Sequence, residues 1–413
     1  MKKLLPLILA AAAATMTASA QNETPGIKVV QDKFNFKDSL RLDCPAVSDQ
    51  QMSGTCWCFS SLSFIESEMM HNGIQNPPNL SETFIVRQNY IDRAIKHVML
   101  HGKMNFGQGS YFHDNTIIIR KNGIVPESAY PNNVMGESYI NHYGLERELT
   151  RYVDSVANDN NKKISTDWLD GYNAILDKYL GPVPETFEYN GKTYTPQTFA
   201  KDVVKLDMSD YVEVTSFSHH EFGKFCIIEL PDNWRDGRFL NVKLDDMMAI
   251  IDASLAQGHT VLWAADVSEK GFSHDKGYAL LQGINPSGMK TADIQSFKKL
   301  TPDKQVLRAR TLSAPGIEVN VTQESRQTDF LNRNTTDDHG MQIVGVAHDS
   351  NKNKYYIVKN SWGTSNKYRG YFYASVNYVK AKTTGIMTCV HTPPLDHHGV
   401  SYLRSSLLLY SIS

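Results

Sequence analysis

The chain has 413 residues, with 42 Lys and Arg against 44 Asp and Glu and a formal net charge of −2 at pH 7. Because it carries no basic excess, its electrostatics give no reason to expect nucleic acid as a partner. Hydrophobic residues make up 41% of the chain and charged residues 21%, which is typical of a globular protein with a well-buried core.

Residues 1–20, MKKLLPLILAAAAATMTASA, have the features of a secretory signal peptide. A basic start is followed by an apolar run and by small residues that suit cleavage after Ala20. The apolar run is too short to span a bilayer, and no cysteine follows the cleavage site to take a lipid, so we expect no membrane anchor. We expect a mature chain of residues 21–413, exported by a bacterial cell to the periplasm or the extracellular space.

An odd number of cysteines bears on the chemistry of the chain. The five are Cys44, Cys56, Cys58, Cys226 and Cys389. In an exported chain, at least one thiol is then free or bound to another molecule. A thiol that stays free in an oxidising compartment needs a reason, and catalysis is one.

Helical spacing dominates the first half of the chain. The first helix is predicted from Cys56 to a stop at Gly73, with apolar residues at Phe59, Leu62, Ile65 and Met69. The second is predicted at 87–101, with one apolar face made of Ile91, Ala94, Ile95, Val98 and Met99. A third is predicted to end at Gly123.

The period changes along the second half. Residues 145–200 are polar with a weak helical pattern, and we predict a mostly helical insertion there. Residues 244–258 predict a strong helix, and HTVLWAADV after it has the apolar run of a buried strand. The segments GMQIVGVAHD, KYYIVKN and GYFYASV then predict an antiparallel sheet. Helices first and strands last indicate an α+β protein with two lobes.

Cys56 is the candidate nucleophile because it stands where the first predicted helix begins. The positive end of a helix stabilises the thiolate, which is the reactive form of the side chain. Cys58, two residues further on, points about 200° round the helix. We therefore predict that Cys58 is buried and that only Cys56 faces a cleft.

No metal site is predicted. Cys56 and Cys58 are close in sequence, and no second cysteine pair exists to complete a tetrahedral site. The histidine pairs at 219–220 and 397–398 come without further ligand residues, and we predict that they lie on the surface.

His339 is the candidate base and Asn360 its orienting group. Each stands at the end of a predicted strand, so imidazole and amide meet at one edge of the sheet if the strands pair. An amide carbonyl that accepts from one ring N–H leaves the other nitrogen to take the thiol proton. His348 competes as base, but it falls in a turn-like segment and is predicted to be exposed. Trp362 is expected to cover the hydrogen bond from water.

Attack on an amide carbonyl creates an oxyanion, which needs hydrogen-bond donors. The backbone N–H of Cys56 is one candidate. The side-chain NH2 of Gln50, six residues earlier, is the other. Gln51 competes with Gln50, and only the six-residue spacing favours Gln50.

These segments resemble those of the papain-type cysteine peptidases. DQQMSGTCWCFS resembles the active-site segment with its Gln and Cys, and HGMQIVGV and KNSWG…RGYFY resemble the His and Asn segments, in the same order. GQGSYFHDNTIIIRKNGIVPESAYP is similar to the backbone-binding loop and the helix after it. The resemblance implies that Gly109 and Ser110 meet the substrate main chain, and we place Trp362 with them in the substrate site.

The spacing between Cys56 and His339 selects a branch of that superfamily. It is 283 residues here, against roughly 130–150 in papain and the cathepsins. Such an insertion, with interior segments such as LAQGHTVLWAADVS, resembles the bleomycin hydrolase and aminopeptidase C branch. This implies one papain-like domain over residues 21–413, with a helical lobe, a sheet lobe and an insertion at about 145–200.

The branch also implies an activity and an assembly. It implies hydrolysis of peptide substrates through a thioester, removal of N-terminal residues, no cofactor, and a homo-oligomer that is often a hexamer. Two features differ from it: the signal peptide, and the tail VSYLRSSLLLYSIS, which extends past the end whose carboxylate binds the substrate amine in that branch. An endopeptidase of the same fold, or a catalytically idle peptide-binding protein, is therefore the alternative.

Overall fold

The first half of the chain folds into helices around one central helix. The computed structural model describes residues 34–133, 139–158, 164–269, 271–281, 295–296, 299 and 318–390. The predicted signal peptide, the histidine pair at 397–398 and the C-terminal tail lie outside these ranges. Within them, no helix is both long and apolar enough to cross a membrane. The helices of this half are α1 (Cys56–His71), α2 (Glu82–Met99), α3 (Phe112–Asn122), α4 (Tyr143–Ala157), α5 (Trp168–Leu180) and α6 (Pro196–Phe199).

The central helix, α1, is buried on almost every side. The predicted apolar residues are all buried, namely Phe59, Leu62, Ile65 and Met69. Serines between them are buried too, and Ser60 and Ser61 donate to the carbonyl oxygens four residues earlier at 2.8 and 2.7 Å. A helix that is buried on all sides is held in place by the elements packed around it. Elements of both lobes pack around α1.

α2 begins earlier than predicted and buries a different stripe. Ser81 caps it by accepting from the backbone N–H three residues on at 3.1 Å, so the helix starts at Glu82. The predicted apolar face was wrong in part, since Ile95 is 38% and Met99 72% exposed. The buried stripe includes Arg93 instead, because its guanidinium bonds to backbone carbonyls of a neighbouring loop.

Residues 145–200 are mostly helical. The buried stripe of α4 and α5 consists of Leu145, Leu149, Val153, Tyr172, Leu176 and Leu180. A small hairpin at 187–194, which the helical pattern did not predict, follows them. Its turn has positive φ at Asn190 (48°) and Gly191 (75°). An Asn-Gly pair favours this conformation in a two-residue hairpin loop.

Eleven strands of the described residues form one sheet. The strands of the chain are β1 (Lys37–Arg41), β2 (Phe187–Tyr189), β3 (Lys192–Tyr194), β4 (Tyr211–Thr215), β5 (Lys224–Ile227), β6 (Arg238–Asn241), β7 (Val261–Ala265), β8 (Phe272–Ser273), β9 (Tyr278–Ala279), β10 (His339–His348), β11 (Lys354–Lys359), β12 (Tyr371–Ser375) and β13 (Thr383–Cys389). The order in the large sheet is β5-β6-β4-β13-β7-β10-β11-β12-β9-β8, with β1 on β10, and β2 and β3 form the separate hairpin.

The strands predicted in the last part of the chain are confirmed. β10, β11 and β12 pair antiparallel in sequence order, and β7, from the predicted buried strand, pairs antiparallel with β10. The sheet is mixed rather than purely antiparallel, because β4 pairs with β6 and β9 with β12 in parallel. β4, β5 and β6 were not predicted.

The sheet has a hydrophobic core on each face. In β7, Leu262 and Ala264 face the helical lobe, whereas Val261, Trp263 and Ala265 face the opposite side, as the two-residue period of a strand requires. Burial on both faces explains the continuous apolar run of this strand. The remaining helices are α7 (Leu244–Ala256), α8 (Gln323–Leu331) and α9 (Val376–Lys382), of which α7 and α9 pack on the second face.

The two lobes meet most closely where α1 and β10 begin. A Cβ on Gly340, the second residue of β10, would lie 3.2 Å from Trp57 Cα and 3.1 Å from both Ser60 Oγ and the ring of Phe112. The absence of a side chain therefore lets the strand approach the backbone of the helix. This contact brings His339, the residue before it, to the N-terminal end of α1.

Gly340→Ala should destabilise the protein by about 1–3 kcal/mol, because the added methyl group crowds the backbone of α1. Urea unfolding with an unchanged m-value measures the loss. Gly144→Ala is the matched control: in the first turn of α4, its Cβ would meet the ring of Tyr179 at an ordinary 3.4 Å. Alanine is the better helix former, so this variant should be as stable as the wild type or more stable. Unchanged stability of Gly340→Ala would contradict the close contact.

Candidate active site

Six residues predicted for the site line one cavity of about 340 Å³. They are Gln50, Cys56, Gly109, Ser110, His339 and Trp362. The seventh, Asn360, lies behind His339 and is hydrogen-bonded to it. Folding thus brings together residues from widely separated parts of the chain.

Cys56 is the first residue of α1, so its backbone N–H lies outside the hydrogen-bond ladder of the helix. Burial raises the pKa of its thiol to about 12, with smaller contributions from the carboxylates of Asp232 and Asp337. The backbone N–H groups of Gly340 and Trp57 donate to Sγ and act in the opposite direction on the pKa. A thiol with a raised pKa needs a base close by to become a nucleophile.

Cys58 faces the interior of the helical lobe, as predicted. It is fully buried, and its Sγ donates to the carbonyl oxygen of Glu82 at 3.7 Å. Burial raises the pKa of this thiol well above its usual range. Cys58 is therefore an unreactive packing residue.

His339 and Asn360 form a hydrogen-bonded pair. His339 Nε2 lies 2.7 Å from Asn360 Oδ1. The same atom of Asn360 accepts from the backbone N–H of Ser361 at 2.8 Å, and since a backbone N–H only donates, this atom is the amide oxygen. His339 therefore carries its proton on Nε2, and its Nδ1 keeps a lone pair that can accept a proton.

The surroundings keep His339 neutral. Burial lowers its pKa to about 4, against the opposing effect of the hydrogen bond that it donates to Asn360. Trp362 contributes to that burial, since its ring centroid lies 4.5 Å from the imidazole. His348, the competing base, was wrongly placed in a turn: it ends the same strand, β10, and nine residues of strand put it roughly 30 Å away.

Gln50 is held at both ends of its amide. Nε2 donates to the carbonyl oxygen of Ser53 at 2.7 Å, and Oε1 accepts from Ser361 Oγ at 2.6 Å. One amide N–H remains for the cavity, which Gln50 lines. Gln51, the competing residue, has a φ of 50° and is exposed, with its Oε1 accepting from the backbone N–H of Ile140.

The loop with Gly109 and Ser110 is held in place by Arg93. The buried guanidinium donates to the carbonyl oxygens of Asn105 at 3.1 and 3.0 Å, of Gly107 at 2.9 Å, and of Gly109. The hydroxyl of Ser110 is hydrogen-bonded inside the protein. The main chain of this loop, rather than the hydroxyl, is therefore what it presents to a peptide.

The sequence patterns missed three carboxylates that line the same cavity, those of Asp232, Asp337 and Asp338. Asp232 lies against Gly109, where a Cβ would overlap its carboxylate. Burial raises the pKa of Asp337 well above its usual range, and its Oδ2 is buried with no hydrogen-bond partner among the described residues. Asp337 and Asp338 could have been found from the sequence, because they directly precede His339. Asp232 could not, because it comes from a distant loop without any motif.

The histidine pair at 219–220 contacts a carboxylate, and His219 is exposed whereas His220 is partly buried. Both Nε2 atoms lie 3.1–3.2 Å from Glu229. Gln327 Oε1 accepts from the backbone N–H of Ser218 at 2.6 Å, so Gln327 Nε2 is the donor that faces His219 Nδ1 at 3.0 Å. His219 therefore carries its proton on Nε2 and donates it to Glu229.

A thiol at a helix N-terminus, opposite a histidine that an asparagine orients, defines a papain-like cysteine peptidase. The chain belongs to the peptidase C1-like family, whose family model matches residues 79–294. The family model of the papain family cysteine proteases matches residues 285–393, which include His339 and Asn360. The protein is thus a peptidase of the cysteine type.

Relatives along most of the chain agree with this. Aminopeptidase W of Lactobacillus delbrueckii subsp. lactis is 24% identical over 86% of this chain and 83% of its own. Aminopeptidase C of Lactococcus lactis subsp. cremoris is 23% identical over 84% of this chain and 81% of its own. The crystal structure of PepW from Lactobacillus rhamnosis HN001 has a TM-score of 0.67 at 20% identity, over 91% of this chain and 86% of that one. It confirms the papain-like α+β fold.

Cys56 rather than Cys58 should react with an epoxysuccinyl inhibitor, because Cys56 lines the cavity with His339 whereas Cys58 is buried in the core. Peptide mass spectrometry should place a stoichiometric label at Cys56, and Cys56→Ala should take up none. Cys58→Ala is the control and should be labelled like the wild type. A label at Cys58, or no label at all, would show that the site has been misidentified.

Proposed function

We propose that the protein is an aminopeptidase in which Cys56 is the nucleophile and His339 is the general base and then the general acid. Asn360 orients the imidazole. The backbone N–H of Cys56 and the side chain of Gln50 donate to the oxyanion. Trp362 shields the imidazole–amide hydrogen bond from water.

Acylation follows from these positions. As Sγ of Cys56 attacks the carbonyl carbon of the scissile bond, its proton passes to Nδ1 of His339, and the carbonyl electron pair moves to the oxygen. The resulting oxyanion accepts hydrogen bonds from the backbone N–H and from Gln50. The C–N bond then breaks, its electron pair takes the proton from His339, and the shortened peptide leaves as an amine.

Deacylation uses the same groups in reverse. The amino acid is now held as a thioester on Cys56. Water gives a proton to His339 as it attacks the thioester carbonyl. The C–S bond breaks, and the sulfur takes that proton back, which releases a free amino acid and restores the thiol.

The proposal that the substrates have free N-termini rests on the carboxylates in the cavity. Asp232, Asp337 and Asp338 line it beside the nucleophile, and no Lys or Arg is among its lining residues in the described part of the chain. Asp337 has a buried oxygen without a partner, and burial disfavours its ionised form, which a hydrogen-bond donor or a cation would stabilise. The α-ammonium group of a peptide is both. The aminopeptidases W and C named above support this proposal at 23–24% identity.

An endopeptidase is the second candidate. Its substrates bring an uncharged main chain into the cavity, which would supply no cation to Asp337. The tail beyond Val400 lies outside the described residues, so its effect on the choice is a separate question. Removing that tail and repeating the substrate comparison below would answer it.

A fluorogenic aminoacyl substrate with a free amine should have a kcat/KM at least about tenfold above that of its N-acetylated form, since one charge-assisted hydrogen bond is worth about 1.5–3 kcal/mol. Asp337→Asn should reduce this ratio by slowing the free-amine substrate. Asp245→Asn, which changes a side chain that is 90% exposed on α7, is the control and should leave the ratio unchanged. Equal turnover of the two substrates would overturn the aminopeptidase assignment and favour an endopeptidase.

We also propose export by means of residues 1–20, on the strength of their sequence pattern. In an expressing bacterium, the mature chain should have the mass that corresponds to cleavage after Ala20 and should fractionate outside the cytoplasm. A full-length chain in the cytoplasmic fraction would refute export. A homo-oligomer, with a hexamer as the form that the resemblance implies, stays a prediction for sedimentation to test.

A further inference from the structure

His274 makes a hydrogen bond at the back of the site that no sequence motif indicates. It directly follows β8, and its Nδ1 lies 3.1 Å from Asn360 Nδ2. Its ring packs edge-on against that of Trp362, with centroids 5.1 Å apart. His274 thus contacts the nitrogen of the Asn360 amide group, whereas His339 contacts the oxygen of that group.

The hydrogen-bond pattern determines the protonation of His274. The backbone N–H of Ser361 identifies Oδ1 of Asn360, so the group facing His274 is the NH2, which only donates. His274 Nδ1 must therefore accept, and the ring carries its proton on Nε2. That Nε2 is buried and has no hydrogen-bond partner among the described residues, which is rare for a buried polar atom. A charged ring would be less stable still in this place, so the surroundings favour the neutral form, which can accept from Asn360.

We propose that His274 is a positioning residue for catalysis, which fixes the amide of Asn360 so that Oδ1 stays on Nε2 of His339. This role rests on the proposed function, because it acts through the pair of His339 and Asn360. A carboxamide can rotate by 180° and exchange its oxygen and nitrogen. The exchanged form would set the NH2 against the N–H groups of His339 and Ser361 and would lose its acceptor at His274.

The turn that carries His274 is tied to the loop that carries Asn360. Asn366 Nδ2 donates to the carbonyl oxygen of His274 at 3.0 Å and to that of Tyr371 at 2.8 Å. Asn366 Oδ1 accepts from the backbone N–H of Gly370 at 2.6 Å. The side chain of Asn366 therefore ties the turn that carries His274 to the loop that carries Asn360. The contact between these two residues is thus supported by more than their own hydrogen bond.

Protonation of His274 would break the link, because an N–H at Nδ1 would then face the NH2 of Asn360. Burial lowers the pKa of His274, and Asp275 in the same turn opposes this. The other titratable group that acts on it is His339, across Asn360. The acceptor is present above this lowered pKa and is lost as the pH falls through it, so kcat should decrease on the acid side.

Two variants separate positioning from packing. His274→Asn places an amide oxygen near the position of Nδ1 and does not titrate, whereas His274→Leu keeps much of the volume but has no acceptor. With a free-amine substrate, kcat of His274→Leu should fall about tenfold, with KM within about twofold because His274 does not line the cavity. His274→Asn should retain most of kcat, and its acid-side loss should involve one proton fewer than in the wild type. His348→Leu, at the far end of β10, is the matched control and should change neither value.

The alkylation rate of Cys56 by an epoxysuccinyl inhibitor gives a second readout, which does not depend on peptide specificity. It should show the same order of variants, and thermal unfolding should show which of them are folded. If His274→Leu does not fold, the proposal is tested on His274→Asn alone. The measurements are then its kcat and the number of protons involved in the acid-side loss of that kcat.

The outcomes distinguish this role from the proposed function. If the wild type is neither alkylated at Cys56 nor active, the proposed function is wrong and this role falls with it. If the wild type cleaves free and acetylated substrates equally, only the aminopeptidase assignment fails. If the wild type is active, the positioning role is overturned by a folded His274→Leu with wild-type kcat and alkylation rate. A folded His274→Asn that is inactive, or that keeps the wild-type proton count, overturns it as well.

Discussion

The contact of α1 with the first residues of β10 is the constraint on which the site depends. At Gly340 the strand approaches the helix so closely that a Cβ would crowd the backbone of Trp57. The N–H of Gly340 donates to Sγ of Cys56, and His339 is the next residue along the strand. Because α1 is buried between both lobes, neither lobe can shift against the other without separating thiol and imidazole. The chemistry therefore belongs to the interface between the lobes.

Ser361 links two parts of the candidate active site, Asn360 and Gln50. Its N–H donates to Asn360, its hydroxyl donates to Gln50, and its carbonyl oxygen accepts from the backbone N–H of Gln50 at 2.8 Å. The group that orients the base and the group placed for the oxyanion are thus held by one residue. Burial raises the pKa of the Cys56 thiol and lowers that of the His339 imidazole, so it favours the neutral form of both side chains.

Part of this was predictable from sequence because it is local. α1, α7 and the strands β10 to β12 have strong periods, and the periods predicted them. The apolar face of α2 was partly wrong, since the burial of Arg93 is determined by loop carbonyls that no pattern along the helix reveals. β4, β5 and β6 were missed, and they are strands because their neighbours in the sheet complete their hydrogen bonds.

The sequence by itself indicated the candidate nucleophile, the candidate base and the candidate orienting amide, because each lies at the end of a strongly patterned element, and it gave the order in which they occur. Only the tertiary structure decided the rest: the proton position on His339, the acceptor role of His274, and the place of Asp232 against Gly109 in the cavity. These depend on which donor meets which acceptor across distant segments. Such pairings exist only when the chain is folded, so no local spacing predicts them.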